Sequence, residues 1–312
     1  MGDFGNEMSW SHSKVLTHRE CPRKFWLGRY GFWDAWKYGS ADEETQLADV
    51  LKNMGNRFSW PGDVVHDKAE ALIRSGKTED YDAMVKASLG LMAKDVRASK
   101  ETWWRFDSAK LSSYKSFRKS FGLEEHFYGI PPEQWFGPMP SQTVRTCLAG
   151  LLESPTFKSV VSALHRPFGD EEILNLEELE SYQIEGVKAY VKTDVTWRRA
   201  DGVIEIDDWK TGKPKKEHME QLAGYAVWAC EKFHVEPEDI EVKLCYLKTG
   251  EEKAKRFTVK DLDDFQENAA NEIAELKLLH DPDKKRKEEF PMLPEGSKKC
   301  DRCVYRRVCG RG

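Results

Sequence analysis

The chain has 312 residues, of which 39% are hydrophobic, enough to bury a sizeable core in one large domain or in a core with an insertion. No stretch reaches the roughly 18 apolar residues of a membrane helix, and no basic-then-apolar signal opens the chain, so we expect a cytoplasmic protein. The formal net charge of -5 argues against coating of nucleic acid through bulk charge, although an active-site cleft needs only a local basic wall.

The N-terminal segment 9–30 predicts a short helix that presents Cys21 and ends near Pro22. A dense group of aromatic residues follows. Base stacking is one interpretation of this group, but packing of an N-terminal layer is the stronger one, because aromatic side chains bury a large area. Residues 40–60 are polar, and we expect them to be partly mobile.

A helix with a histidine on its polar side is predicted next. Pro61, Gly62 and Asp63 precede apolar residues at helical spacing, and His66 lies on the opposite side of that helix. A lone histidine on a helix is usually a surface group or a satisfied core group. His66 taken alone therefore gives little support to a ligand role.

Residues 81–179 predict mainly helices, at 81–97, 102–121 and 141–153. Basic side chains on the second of these helices are candidates for a nucleic-acid backbone track, although a solvated helix face is the simpler interpretation of each. These side chains are Lys110, Lys115, Arg118 and Lys119.

A hairpin is predicted around the pair Asp201-Gly202, because this pair separates two runs of alternating apolar residues. The runs 190–198 and 203–210 are expected to form adjacent antiparallel strands. Strands within residues 171–191 lead into the first of them. The hairpin should therefore belong to the core sheet.

Two carboxylates and an ammonium group meet in this hairpin. Asp194 projects from the first strand, whereas Asp208 and Lys210 share one face of the second. Such groups at the end of a core strand are costly unless they are paired. A divalent cation between Asp194 and Asp208, with Lys210 on the attacking water, supplies the pairing and a phosphodiesterase reaction. The adjacent Asp207 is expected to face away from this site. The alternative explanation of Asp194, Asp208 and Lys210 is a group of surface salt bridges on a strand pair.

The segment after the hairpin has an apolar stripe at helical spacing, which predicts a helix. Gln221 and Tyr225 lie one turn apart beside this stripe. Both side chains should point past the strand ends towards the acidic groups. Taken alone, the pair is more typical of an ordinary helix flank than of a functional site.

The C-terminal part predicts a hairpin at the sheet edge, formed by strands 240–246 and 255–259, and then an amphipathic helix at 261–280. Residues 281–299 are charged and interrupted by proline, which is typical of a tether. This tether leads to a segment that contains three cysteines.

The seven cysteines indicate a reduced compartment and metal ligation rather than a disulfide framework. Cys300, Cys303 and Cys309 form a compact set of three thiols, which is typical of a metal site. Such a site usually has four ligands, so one ligand remains to be found. The other cysteines of the core lie in apolar surroundings and are expected to be packed thiols, namely Cys147, Cys230 and Cys245.

Together these residues resemble a known family. Asp194, the run Asp208-Trp209-Lys210-Thr211-Gly212, and the pair Gln221 and Tyr225 resemble the DxKTG and QxxxY motifs of the RecB-like branch of the PD-(D/E)XK nuclease superfamily. Gly62 to His66 resembles the GxxxH motif of that branch. The resemblance implies an α/β fold, with a restriction-endonuclease-like mixed β-sheet flanked by helices and a helical insertion. This chain has Thr193 before the acidic residue, where many relatives have glycine.

The resemblance also implies two kinds of cofactor. One or two Mg2+ or Mn2+ ions would be held by His66, Asp194, Asp208 and the Trp209 carbonyl, with Lys210 orienting the water and Gln221 and Tyr225 positioning the strand. Cys21 would be the fourth ligand, with Cys300, Cys303 and Cys309, of a 4Fe-4S cluster that joins the N- and C-terminal segments. Zinc is the alternative, because four thiolates do not distinguish the two.

The predicted organisation is one nuclease domain, 1–312. It comprises an N-terminal segment 1–60, a helical region 61–180, a nuclease core 181–260 and a C-terminal region 261–312. The predicted function is a metal-dependent DNA exonuclease on single strands or DNA ends, in repair, recombination or CRISPR- or phage-related processing. The alternatives are a catalytically silent nucleic-acid-binding or scaffold protein, and a nuclease that requires a protein partner.

Overall fold

The structure of the protein is a computed structural model, and it describes residues 7–37, 41–77, 79–103, 121–163, 170–280 and 286–311. The chain divides into two compact units. The thiol unit comprises Met1–Arg57, Ala93–Gln134 and Glu272–Gly312, and the sheet unit comprises Phe58–Met92 and Trp135–Asn271. Most of the helix predicted at 102–121, with its four basic residues, lies outside the described residues.

The described residues form helices whose ends follow ordinary capping rules. The helix that carries His66 has a proline in its first turn and ends at Gly76, which has a left-handed φ of 60°. The α-helices are α1 (His12–Glu20), α2 (Pro22–Trp26), α3 (Glu43–Lys52), α4 (Trp60–Ser75), α5 (Tyr81–Trp103), α6 (Glu124–Phe127), α7 (Gln142–Glu153), α8 (Pro155–Ala163), α9 (Lys216–Phe233) and α10 (Val259–His280). Short π or 3-10 turns occur at Leu27–Gly31, Pro132–Gln134, Gly137–Ser141, Pro237–Asp239, Lys287–Glu289 and Cys300–Arg302.

The strands are β1 (Ser9–Trp10), β2 (Glu172–Leu176), β3 (Leu179–Ile184), β4 (Val187–Lys192), β5 (Val195–Arg198), β6 (Ile204–Lys210), β7 (Ile240–Tyr246) and β8 (Glu251–Lys255). The main sheet of the sheet unit has the order β2-β5-β6-β7-β8. It is mixed, because β6 pairs with β7 in parallel and the other neighbours are antiparallel. A second, antiparallel pair is formed by β3 and β4.

The hairpin predicted around Asp201-Gly202 is confirmed. The strands β5 and β6 pair antiparallel with Val195 opposite Asp207, and Gly202 takes the positive φ of 86° that the turn requires. One continuous strand at 190–198 was wrong, because β4 ends at Lys192 and β5 begins at Val195. Thr193 between them hydrogen-bonds through its side chain to Asn175, and this local bonding competes with a regular ladder.

The second predicted hairpin is confirmed as the sheet edge but with shifted bounds. The strand β7 has the predicted bounds, whereas its partner β8 occupies 251–255 rather than 255–259. The chain turns tightly at Gly250, which has a φ of 70°, so β8 begins directly after the turn. Val259 instead begins α10, which is two residues longer at its start than the predicted helix.

Helices cover the strands of the sheet unit. The helix α9 packs against β7 and against the β3–β4 pair, while α4, α7 and α8 pack together. The helix α7 approaches the sheet closely, because a Cβ atom at Gly150 would lie 1.9 Å from the Leu247 carbonyl oxygen. A glycine is therefore required at this contact. The next helix, α8, was not predicted from the sequence.

The thiol unit has its own apolar core. The helix α3, within the segment expected to be polar and mobile, buries Leu47, Val50 and Leu51. These side chains pack in one cluster with Phe32 and Tyr305. The packing interpretation of the N-terminal aromatic residues is confirmed for the buried Phe25 and Phe32. The helix α1 ends at Glu20, immediately before Cys21, as predicted.

Within the described part of the chain, no helix combines the length and the apolar character needed to cross a membrane.

Candidate metal centre

The strand pairing of the main sheet brings two carboxylates together. Leu176 at the end of β2 pairs with Val195 at the start of β5, so the next residues outward, Glu177 and Asp194, are also neighbours. The Glu177 amide donates a hydrogen bond to the Asp194 carbonyl oxygen at 3.2 Å. Glu177 has a φ of 56°, a left-handed conformation that is uncommon for a residue other than glycine. The antiparallel register thus fixes both acids at one strand end.

His66 on α4 completes a group of three ligand atoms. Its Nδ1 lies 3.1 Å from Asp194 Oδ1 and 3.4 Å from Glu177 Oε1. Among the described residues, His66, Glu177 and Asp194 form a group whose ligand atoms all lie within 4.8 Å of one another. An imidazole and two carboxylates are suitable donors for Mn2+ or Mg2+. The residues present therefore fit a divalent ion.

Charge compensation in this group depends on His66 and Lys192. Burial lowers the pKa of His66, but Asp194 and Glu177 outweigh it and raise the pKa to about 11. Burial raises the pKa of Glu177, but the hydrogen bonds from His66 and Lys192 bring it below its ordinary value. Lys192 Nζ lies 2.6 Å from Glu177 Oε2. Two cationic side chains thus balance the acids, and binding of a metal must release the His66 proton.

The strand β6 supplies a third acid and a lysine. Asp208 is buried, with 3% of its surface exposed, and its Oδ2 lies 2.5 Å from Lys210 Nζ. Burial raises the pKa of Asp208 to about 6, Asp194 adds to this rise, and Lys210 opposes it. The backbone amide of Trp209 donates to Asp194 Oδ2 at 2.5 Å. We call His66, Glu177, Asp194 and Asp208 the acidic site.

Two side chains of α9 connect to these groups. Lys210 Nζ donates to Gln221 Oε1 at 3.1 Å, and the Gln221 amide donates to the Tyr225 hydroxyl. Tyr225 donates to the Lys192 carbonyl at 2.8 Å, and its hydroxyl lies 3.5 Å from Asp208 Oδ1. Burial, with Asp208 and Asp194, raises the pKa of Tyr225 well above its ordinary value, so it remains a neutral phenol. The helix edge therefore reaches the strand end, in the direction that the sequence indicated.

The structure places the predicted residues unevenly. His66, Asp194, Asp208 and Lys210 lie together, but the compact group of three ligand atoms contains Glu177 rather than Asp208. Sequence analysis missed Glu177, because Glu178 and Glu180 follow it closely and nothing in the sequence distinguishes the three glutamates.

Two further residues clarify the predicted motifs. Asp207 accepts a hydrogen bond from Trp197 Nε1 at 3.0 Å, away from the acidic site. Gly62 of the GxxxH run has a packing reason, because a Cβ atom there would lie 3.0 Å from Thr211 Oγ1. Thr211, just after β6, therefore lies close to the start of α4. This contact fixes the position of the helix that carries His66.

The predicted thiols group within the thiol unit. A cavity of about 520 Å3 is lined by Cys21, Cys300 and Cys303. Burial raises the pKa of Cys309 to about 11, and the nearby thiols of Cys303 and Cys21 add to the rise. None of the seven cysteines forms a disulfide. Cys147 and Cys245 are buried in the sheet unit, as expected for packed thiols, whereas Cys230 is only partly buried.

The strand-end acids, with His66 and Lys210 beside them, are groups that suit metal-dependent phosphodiester chemistry. A protein-family model described as the PD-(D/E)XK nuclease superfamily matches residues 9–310. This match covers nearly the whole chain, so the chain belongs to the PD-(D/E)XK nuclease superfamily. The mixed sheet flanked by helices is consistent with that fold. No curated protein matches the chain. Membership implies a metal-dependent nuclease in general, with nucleic acid as its substrate.

Proposed function

We propose that this protein is a metal-dependent deoxyribonuclease of the RecB-like branch, which acts as an exonuclease on single-stranded DNA or on DNA ends. The observation that carries the proposal is the convergence of His66, Glu177 and Asp194 within 4.8 Å. Asp208 and Lys210 adjoin this group on the next strand. The order of the DxKTG and QxxxY motifs supports the choice of branch.

The ions proposed are Mg2+ or Mn2+, held by His66, Asp194, Asp208 and the Trp209 carbonyl, with Glu177 added to the predicted set. When bound, such an ion polarises phosphoryl oxygens and lowers the pKa of water. This contribution is needed because phosphodiester hydrolysis requires a rate enhancement near the upper end of the enzymatic range, which reaches about 10^17-fold. Acid–base catalysis by a side chain supplies only about 10^2- to 10^4-fold.

The residues of the chain then bind and orient the reactants. Lys210 Nζ lies 2.5 Å from Asp208 Oδ2 and 3.1 Å from Gln221 Oε1, and this position supports a role in orienting the attacking water. Gln221 and Tyr225 position the DNA strand by contact with one of its phosphates or with a neighbouring base. The Tyr225 phenol is neutral and donates its one proton to the Lys192 carbonyl, so its oxygen accepts from the Gln221 amide and holds that side chain in position.

We further propose that Cys21, Cys300, Cys303 and Cys309 hold a 4Fe-4S cluster. The grouping of Cys21, Cys300 and Cys303 around one cavity supports a metal centre at these thiols, for which zinc is the alternative to iron and sulfide. Reduced thiols are typical of the cytoplasm, which is where we place the protein. Iron and acid-labile sulfide in anaerobically purified protein would support the cluster, whereas stoichiometric zinc would replace it.

Cleavage of end-labelled single- and double-stranded DNA tests the catalytic proposal. Anaerobically purified protein is compared with the Asp208→Ala variant in Mg2+, Mn2+ or EDTA. The matched control is Asp201→Ala, an exposed acid at the turn before the same strand. Metal-dependent products should be absent with Asp208→Ala and unchanged with Asp201→Ala, and their ladder gives the polarity.

Cleavage at the wild-type rate by Asp208→Ala would overturn the assignment. Absence of cleavage by the wild type, with its cofactors intact, would instead favour a silent nucleic-acid-binding or scaffold protein, or a nuclease that needs a protein partner. Participation in repair, recombination or CRISPR- or phage-related processing remains part of the proposal. The single-domain organisation of 1–312 remains a prediction as well.

A further inference from the structure

Two short connections of the sheet unit lie side by side at the strand ends that form the acidic site. Glu177 and Glu178 link β2 to β3, and Thr193 and Asp194 link β4 back to β5. The strands β2 and β5 are neighbours in the main sheet, whereas β3 and β4 pair with each other. The chain therefore leaves the main sheet and returns beside its point of exit, and each connection carries one acid of the acidic site.

Three buried polar side chains join these two connections through hydrogen bonds. Thr196 Oγ1 donates to Thr193 Oγ1 at 2.9 Å, and Thr193 Oγ1 donates to Asn175 Oδ1 at 3.0 Å. Asn175 Nδ2 then donates to the Glu178 carbonyl oxygen at 3.4 Å. All three residues are buried, with at most 5% of their surface exposed. We call Thr196, Thr193 and Asn175 the threonine–asparagine network.

The network has one direction, because each of its groups donates to the next. The last donor is the Asn175 amide, and its acceptor belongs to the backbone of the turn that carries Glu177. Buried hydrogen bonds in series strengthen one another, whereas loss of one partner leaves a buried polar group unpaired. Removal of the Thr193 hydroxyl would therefore disturb the bonds on both sides of it.

The turn at the end of this network contains an unfavourable backbone conformation. Glu177 has a left-handed φ of 56°, and a conformation of this kind persists only where the surrounding structure holds it. The Glu177 amide donates to the Asp194 carbonyl oxygen at 3.2 Å, and the next carbonyl along the chain, that of Glu178, accepts from Asn175. The backbone is thus fixed both before and after the Glu177 side chain.

The Glu177 carboxylate reaches the acidic site from this turn. Its Oε1 lies 3.4 Å from His66 Nδ1, and its Oε2 lies 2.6 Å from Lys192 Nζ. About half of the Lys192 side chain is exposed, and a flexible exposed lysine does little to fix the geometry of its partner. Groups behind a metal ligand therefore matter, and their loss typically lowers metal affinity by about 10- to 100-fold.

We propose that Thr193 is a positioning residue for Glu177, and that it acts through Asn175 on the turn between β2 and β3. This inference rests on the proposed function, in which Glu177 is one of the ligands of a divalent ion. In this role Thr193 and Asn175 touch neither the ion nor DNA. They act only through the position of the Glu177 carboxylate.

Titration calorimetry with Mn2+, without DNA, tests this inference on the anaerobically purified full chain. Thr193→Val removes the hydroxyl and keeps the branched shape, whereas Thr193→Ser keeps the hydroxyl. The matched control is Thr156→Val. Thr156 is also buried in the sheet unit, but its hydroxyl donates at 2.7 Å to Glu252 on β8, at the opposite edge of the main sheet from β2. Thermal unfolding in EDTA measures the loss of stability in each variant.

Thr193→Val should weaken Mn2+ binding about tenfold, whereas Thr193→Ser and Thr156→Val should keep the wild-type affinity. Both valine variants should lose stability, because each removes a hydrogen bond from buried surroundings. If Thr193 only stabilised the fold, both valine variants would melt at a lower temperature and both would bind Mn2+ as the wild type does. That result would overturn the proposal.

A double-mutant cycle with Glu177→Gln identifies the group through which Thr193 acts. If that group is Glu177, Thr193→Val should cause no further loss of Mn2+ affinity in the Glu177→Gln protein. The same tenfold loss in both backgrounds would contradict the proposal, because the effect would then belong to another ligand, such as the adjacent Asp194.

Thr196→Val decides the question if Thr193→Val does not fold. It removes one donor but leaves the hydroxyl of Thr193 and the amide of Asn175 paired, and it should weaken Mn2+ binding by about threefold. Wild-type affinity in this variant would then reject the proposal, as would a wild-type protein that binds no Mn2+.

The outcome is separate from that of the nuclease test. A protein that binds Mn2+ through Glu177 but cleaves no DNA would contradict the proposed function and leave this inference intact. A protein that cleaves DNA but binds Mn2+ equally well with and without the Thr193 hydroxyl would contradict this inference alone.

Discussion

The acidic site and the group of thiols in the thiol unit are built in opposite ways. In the acidic site, short carboxylate side chains project from strand ends, and backbone amides fix them, as the Trp209 amide does for Asp194. The thiols of Cys21, Cys300 and Cys303 instead come from opposite ends of the chain and line one cavity of about 520 Å3. Strand register holds the acids in place, whereas the thiols meet only because the terminal segments pack in one unit.

The comparison also shows that net charge conceals local charge. A value of -5 describes the whole chain and does not show that Glu177, Asp194 and Asp208 lie together. Each group lies in its own compact unit, so the two can be perturbed independently. The following changes test that independence.

The largest effect is expected from Glu177→Gln in the acidic site. It removes a carboxylate charge that faces His66 and Lys192, so cleavage should fall by about 10- to 100-fold and the Mn2+ concentration required should rise. The matched control is Glu178→Gln, the exposed neighbour, which should keep wild-type cleavage. Titration calorimetry with Mn2+ and the cleavage rate measure both effects. Equal activity of the two variants would remove Glu177 from the site.

The thiol unit should be most sensitive to Cys303→Ala. If Cys303 is a ligand of the proposed cluster, its loss should reduce the iron content. It should also lower the free energy of unfolding of this unit by about 2 to 5 kcal/mol, if a metal staple behaves like a disulfide. Iron analysis and thermal unfolding measure the two effects, with Cys230→Ala as the control from the sheet unit. Unchanged iron in Cys303→Ala would remove this thiol from the ligand set.

The sheet unit should also be destabilised by a change at the close contact between Gly150 on α7 and Leu247 after β7. Gly150→Ala would place a Cβ atom 1.9 Å from the Leu247 carbonyl oxygen, and the Leu247 amide donates to the Lys210 carbonyl. We expect about 1 to 3 kcal/mol of destabilisation and reduced cleavage through displacement of Lys210. Gly90→Ala, on an open face of α5, should instead stabilise by up to about 1 kcal/mol. Denaturant unfolding of both variants would show whether the close contact or the loss of glycine decides the outcome.

The smallest effect concerns the pH dependence of the thiol unit. His126 is buried and contacts Ser99 Oγ at 2.7 Å, and burial, with Lys100, lowers its pKa. Below about pH 6.5 the unfolded chain binds a proton that the folded chain resists, so stability falls as the pH falls. His126→Gln should lose this component, so its melting temperature should approach that of the wild type on acidification. A constant difference between the two across that pH range would contradict this.

Much of the fold could be predicted because its signals are local. The Asp201-Gly202 hairpin, α9 and α10 follow from turn chemistry and hydrophobic period, which neighbouring residues alone determine. The helix α3 was missed because its apolar positions lie within a polar segment, and only packing against Tyr305 and Phe32 makes them a core face. The break between β4 and β5 was missed because it depends on a distant partner, Asn175.

The sequence by itself determined the chemistry of the acidic site, since Asp208, Lys210, Gln221 and Tyr225 occur at spacings that their strand and helix turn into shared faces. Only the tertiary structure decided which other groups join them. Glu177 reaches the site because the antiparallel register of β2 and β5 places it beside Asp194. Cys21 likewise joins Cys300 and Cys303 around one cavity only in the folded chain, because these residues lie far apart in the sequence.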